Sequence, residues 1–142
     1  MVGIAKPAGV VFAISLALWG GSLWWEKGLA TQWDEVTSPN ACYRLISLKP
    51  FWVLPNVFHP RADPNEDIPP EKWPMWKYPG FYRLYDNRTG ELLGESKIYD
   101  LYLASGTINW GVAGEVYAGL IYVGPNAPDC IYDRPVESKS NQ

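Results

Sequence analysis

Four residues in one short stretch have the types that could do chemistry: the single histidine, His59, and the carboxylates Asp63, Glu66 and Asp67. A histidine works as a general base when a nucleophile or carboxylate is held within hydrogen-bond reach of its ring. In FHPRADPNED the neighbours Arg61 and Asp63 are close in sequence, but Pro60 and Pro64 stiffen a polar turn. His59 is therefore expected to be a surface residue. Paired carboxylates can cleave a glycosidic bond, and Asp63, Glu66 and Asp67 are the residues that would do so here. Three acids on one polar loop read more simply as solvated charge. Asp63, Asn65 and Asp67 also open like a calcium loop. The match ends at Ile68, where glycine is required, and at Pro74, where a bidentate glutamate belongs. Ser47, Ser96 and Ser105 lack the G-x-S-x-G setting of a nucleophile elbow, and no glycine-rich phosphate loop occurs. No catalytic residue, cofactor or metal is expected.

Binding is the other chemistry on offer. Trp73-Pro74-Met75-Trp76-Lys77-Tyr78-Pro79-Gly80-Phe81 puts four aromatic residues and a methionine on a proline-stiffened segment. Aromatic anchors on a pre-ordered loop lose little conformational freedom on binding. Trp73, Met75, Trp76, Tyr78 and Phe81 form the expected partner-binding set; the competing reading folds them back as the lid of a small core.

Positioning these residues falls to a long irregular region and the strands around it. Residues 55–79 hold seven of the chain's 13 prolines, which excludes a regular helix or a central strand. Residues 42–48 have the β-branched and aromatic content of a strand. In FYRLYDNRTGELLGES, residues 81–86 alternate, 87–90 turn, and 91–96 return, with Gly90 suited to the left-handed position of a hairpin turn. The stretch 97–103 extends that return strand or begins another. Residues 108–123, with Gly111, Gly114 and Gly119 among Val, Ile, Tyr and Trp, read as a strand pair or a bent strand. The expected class is mainly β: a small antiparallel domain of four to six strands over residues 42–134, carrying a long Pro/Trp-rich loop.

Ahead of it, residues 7–25 carry no formal charge. At the helical rise they span ~28 Å, close to the ~30 Å depth of a bilayer's hydrocarbon. Trp24 and Trp25, followed by Glu26 and Lys27, suit a membrane–water interface, so Trp24, Trp25 and Lys27 are the expected interfacial residues. Residues 1–27 are read as a retained transmembrane anchor. A cleaved signal ending at Gly28-Leu29-Ala30 is the competitor, with bulky residues awkwardly placed before the cut. Residues 28–41 are expected to be a juxtamembrane spacer, with one helical turn around 32–36, and 135–142 a frayed tail. Lys6 against Lys27 weakly favours an inner-membrane, single-pass topology with the C-terminal domain periplasmic.

In that compartment the two cysteines, Cys42 and Cys130, are expected to form a disulfide. A formal net charge of −3 argues against a nucleic-acid partner. The expectation is thus a membrane-anchored periplasmic binding module, of inhibitor or immunity type, with a protein partner in the bacterial envelope. An accessory structural subunit of an inner-membrane complex is the alternative, and a carboxylate-dependent glycan-active enzyme the third.

Overall fold

The computed structural model describes residues 6–136. Helix α1 (Pro7–Gly28) begins with Pro7 in its first turn, where a missing N–H costs little. Its apolar side chains from Val10 to Leu18 are exposed on every side, and it is long and apolar enough to cross a membrane.

Only Leu29 and Ala30 separate α1 from strand β1 (Thr31–Thr37), which pairs antiparallel with β2 (Tyr43–Lys49). This corrects the expected spacer and its helical turn. Thr31, Val36 and Thr37 are β-branched, and the open edge of β2 supplies the hydrogen bonds that a lone helical turn would lack. The chain then runs through a 3₁₀ turn (Asn56–Phe58) into β3 (Pro79–Asp86) and β4 (Leu92–Glu95). Strands β1 to β4 lie in chain order, all antiparallel, and β5 (Tyr99–Asp100) pairs with the start of β3. A single turn, α2 (Leu101–Ala104), leads to a meander of β6 (Ile108–Val112), β7 (Glu115–Ala118) and β8 (Ile121–Pro125). The hairpin of β9 (Cys130–Ile131) and β10 (Arg134–Pro135) closes the described chain. Pro135 of the expected tail is thus in β10, the Val136 amide donates to the Asp129 carbonyl, and residues 137–142 lie outside the described part.

The mainly β, antiparallel class is as expected, but ten strands occur among the described residues rather than four to six. Three of them, β5, β9 and β10, are two residues long, too short for any alternation to register in sequence. The β3–β4 turn matches its expectation, with Gly90 at φ 78°. The stretch 108–123 makes three strands because Gly114 (φ 78°) and Gly119 (φ 61°) each turn the chain.

Alternation along β2 and β3 divides two cores. Tyr43, Leu45, Tyr82 and Leu84 face Val116, Ile121 and Val123 of the meander, forming the main core. On the other face Ile46, Leu48 and Phe81 form a second buried cluster, with Ala30, Tyr85 and Ile98 against it. Both faces of the central strands are covered, so β2 is buried along nearly its whole length. The sheets converge where Gly94 meets Val123 and Gly124; a Cβ at Gly94 would collide with the Val123 carbonyl.

Cys42 and Cys130 meet at disulfide distance, Cα atoms 6.4 Å apart across a separation of 88 residues. Asp133 works beside them. Its buried carboxylate accepts from Ser38 Oγ (2.5 Å), the Asn40 amide (2.7 Å) and the Cys42 amide (3.3 Å), tying the β9–β10 turn to the β1–β2 connection. Tyr43 adds a third tie: its hydroxyl donates to the Cys130 carbonyl and accepts from the Ala127 amide. Replacing both cysteines by serine is expected to cost about 2–5 kcal/mol. Urea denaturation of the detergent-solubilised protein measures this, and an unchanged midpoint would show that the pair does not cross-link the folded chain.

Candidate functional site

The end of α1 is built into the domain. Lys27 Nζ lies 2.7 Å from Glu95 Oε1 and 3.0 Å from the Ser96 carbonyl, and sits 5.2 Å above the Phe81 ring. Arg83 binds Glu95 Oε2 (2.6 Å), donates to the Lys27 carbonyl (3.1 Å) and covers the same ring. Two cations thus roof Phe81 and share one carboxylate. Burial pushes the Glu95 carboxyl up, but its hydrogen bonds to Lys27 and Arg83 outweigh this and hold it below the ordinary glutamate value. On the neighbouring side, Glu26 accepts from Trp52 Nε1 (2.7 Å), and its carbonyl accepts from the Phe51 amide (2.9 Å).

From Trp52 the aromatic contacts continue into the proline–tryptophan loop. Trp52 stacks on His59 (4.0 Å between centroids, 5° between planes) and meets Trp76 edge-on at 5.0 Å. Trp76 Nε1 donates to the His59 carbonyl (2.9 Å). His59 is therefore not the freely solvated residue expected. Stacking on Trp52 holds it, and its Nε2 is buried with no hydrogen-bond partner among the described residues. The backbone bridges Arg61 to Glu71, and Arg61 Nη1 donates to the Met75 carbonyl (3.0 Å). At the loop's end, buried Asp100 caps α2 through the Tyr102 amide (3.1 Å) and accepts from the amides of Lys77 (2.8 Å) and Tyr78 (3.0 Å). Internal bonds of this kind, rather than regular secondary structure, order the region.

The expected partner-binding residues separate into three roles. Phe81 is fully buried and does not belong to a surface: β-strand alternation turns it inward, under Lys27 and Arg83. Trp76 is half-buried and braces the loop. Trp73, Met75 and Tyr78 are 67%, 86% and 40% exposed. Trp73 is held outward by a left-handed backbone (φ 55°), a conformation costing about 1–2 kcal/mol, while Pro74 beside it is fully buried. Tyr78 meets Trp33 edge-on at 5.1 Å, and Lys77 Nζ sits 4.2 Å above the ring of exposed Tyr102. Trp33 and Tyr102 were missed because neither lies in the tryptophan-rich segment; only the fold brings them beside it. Of the expected interfacial residues, Trp24 is exposed, Trp25 half-buried, and Lys27 engaged with Glu95.

The acidic residues are also placed. Asp63 and Asn65 accept from backbone amides two residues on, those of Asn65 and Asp67, making turns of their own loop. Glu66 pairs with Lys97 at 3.3 Å on the rim of a cleft of about 420 Å³, which Glu95, Glu115, Tyr99, Tyr117 and Tyr122 also line. Glu115 accepts from the Tyr117 hydroxyl (2.9 Å), and Glu95 is held by its two cations. Each of these three glutamates thus has a partner. Comparison with protein-family models, with curated proteins and with solved structures finds no match for the chain.

Two stability effects follow from this geometry. Trp76→Ala is expected to cost about 2–3 kcal/mol, below the range for a fully buried tryptophan, while Met75→Ala stays within about 0.5 kcal/mol. Urea denaturation distinguishes them, and equal midpoints would show that Trp76 braces nothing. Glu95 has a lowered folded-state value, so its stabilisation is full above the ordinary glutamate value and is lost as pH falls through the lowered one. Glu95→Gln should therefore cost about 1 kcal/mol near neutrality, a partly exposed pair being modest in strength. The deficit should shrink in acid; one that stayed constant with pH would exclude this linkage.

Proposed function

We propose that this chain is a single-pass inner-membrane protein whose C-terminal domain stands in the periplasm and holds a protein partner, as an inhibitor or immunity-type module does. The length and apolar surface of α1 support the anchor. Retention of α1 is supported by Glu26 and Lys27, since cutting after Ala30 would leave Trp52 without Glu26 and remove Lys27 from its cluster with Glu95 and Arg83. The oxidised cysteine pair suits an extracytoplasmic compartment.

The observation that carries the binding role is the rigid display of aromatic side chains beside Asp100. Its carboxylate fixes the backbone at Lys77, Tyr78 and Tyr102, which holds Tyr78 against Trp33 and Lys77 over Tyr102. These side chains combine apolar area with polar atoms, the composition enriched where proteins bind one another. Exposed Met75 adds an adaptable apolar contact.

Purification of the tagged full-length chain from native membranes tests this. A protein should co-purify in stoichiometric amount, and Trp33→Ala with Tyr78→Ala should weaken its retention by at least about thirtyfold, the loss expected for a hot spot. Recovery of no stoichiometric protein, or retention insensitive to the pair, would remove the reading.

A further inference from the structure

A second exposed surface differs in composition from the one beside Asp100. From Pro50 to Phe58 the sequence PFWVLPNVF carries no charge. Phe51, Val53, Leu54, Val57 and Phe58 are 40–72% exposed. Trp73, from the far end of the loop, meets Phe58 edge-on at 5.5 Å and extends the same patch. Aside from the Trp73 indole nitrogen, these six side chains are hydrocarbon, and a soluble domain of this size has no reason to leave them in water.

The helix indicates what covers them. Phe51 is hydrogen-bonded to the end of α1 at Glu26, and Trp52 is bonded to the Glu26 carboxylate. Trp19, Trp25, Phe51, Val53, Leu54 and Pro60 together line a mostly apolar hollow of about 340 Å³ between helix and loop. Trp19 precedes Trp25 by six residues, about 9 Å along the axis. A loop that reaches Trp19 lies below the level at which the uncharged run of α1 ends. If that run fills the hydrocarbon layer, Val53 and Leu54 sit beneath the headgroups. Apolar side chains are favoured at that boundary.

We propose that residues 51–58, together with Trp73, are a second membrane element: an apolar foot that enters the bilayer's interfacial layer beside α1 and seats the domain on the membrane surface. This inference rests on α1 crossing the bilayer, since α1 sets the depth. The polar residues are arranged accordingly. Glu26 accepts a hydrogen bond from the Trp52 indole, Lys27 points to Glu95, and Lys72 borders the patch beside Trp73, where its ammonium can reach the headgroups. The foot also separates the roles of the loop's aromatic residues: Trp73 and Phe58 face lipid, Tyr78 and Trp33 the partner.

Depth-dependent quenching tests this on the full chain in phosphatidylcholine vesicles. A third cysteine is introduced at Leu54, or at Val53 as a second variant, and labelled with an environment-sensitive NBD fluorophore, with mass analysis verifying that Cys42 and Cys130 remain unlabelled. Both positions are exposed, so neither substitution opens the core. Leu16→Cys reports on the anchor, and Thr89→Cys, in the β3–β4 turn, on the aqueous side. The foot is expected to place its probe about 5–10 Å into the headgroup–acyl boundary. A shallow doxyl-labelled phosphatidylcholine should then remove most of its fluorescence, and aqueous iodide little. Quenching at Leu54 and Val53 by iodide, with Leu16 still quenched by lipid, overturns the foot and leaves the anchor standing. Protection from both quenchers overturns it in favour of a protein covering the patch. A Leu16 probe that lipid quenchers do not reach overturns the anchor, and the foot with it.

Discussion

The join between α1 and the sheet is the constraint on which the remaining geometry depends. With two residues between helix and first strand, the domain cannot swing on a tether, and the polar groups at the helix end must find partners within the fold. Lys27, Arg83 and Glu95 do this as a set. One carboxylate is shared by two cations, the cations roof Phe81, and Arg83 also satisfies the carbonyl of Lys27 at the helix end, where backbone acceptors lack intrahelical partners. Because Phe81 is the floor of the second core, orienting the helix and closing that core are one event. The direction of the helix axis is thereby transmitted to the sheet and, through Glu26 and Trp52, to the proline–tryptophan loop.

Two buried aspartates do for the irregular segments what the ladders do for the strands. Asp100 collects three backbone amides from the end of the loop and the start of α2, and Asp133 two amides and a hydroxyl from the β1–β2 connection. A carboxylate accepting several N–H bonds can be buried because its charge is spread over donors that would otherwise be unsatisfied themselves. The Cys42–Cys130 pair, at disulfide distance, and the Tyr43 hydroxyl lie in the same region as Asp133, so the contacts that hold the last hairpin are concentrated there. A chain rich in proline and glycine can thus present fixed surfaces with little regular structure beneath them.

Much of this could be read from the sequence where the signal is periodic or categorical. The uncharged run of 7–25, the β2 segment and the β3–β4 hairpin with Gly90 each depend on one continuous stretch, and the Cys42–Cys130 pair on there being two cysteines. Others needed partners far along the chain. Residues 31–37 became a strand only because β2 offers its edge. His59 was expected to face solvent, and what changed that was an indole seven positions earlier, aligned by a bond to the helix end. In the candidate site Trp73, Met75 and Tyr78 are exposed in keeping with their expected place on a surface, Trp76 turned out to be a brace, and Phe81 belonged to the core.

By itself, the sequence determined an apolar helix of bilayer length, a mainly antiparallel β domain after it, one candidate cross-link and an aromatic loop kept irregular by proline. These follow from hydrophobicity, backbone stereochemistry and thiol count, none of which depends on tertiary contacts. Which aromatic side chains face outward, which carboxylates are bound, and how the loop stands beside the helix were decided by tertiary structure. The physical reason is that burial and charge pairing belong to contacts between residues far apart in the chain, such as Lys27 with Glu95, 68 positions apart, and Ser38 with Asp133, 95 apart. No local pattern encodes those contacts.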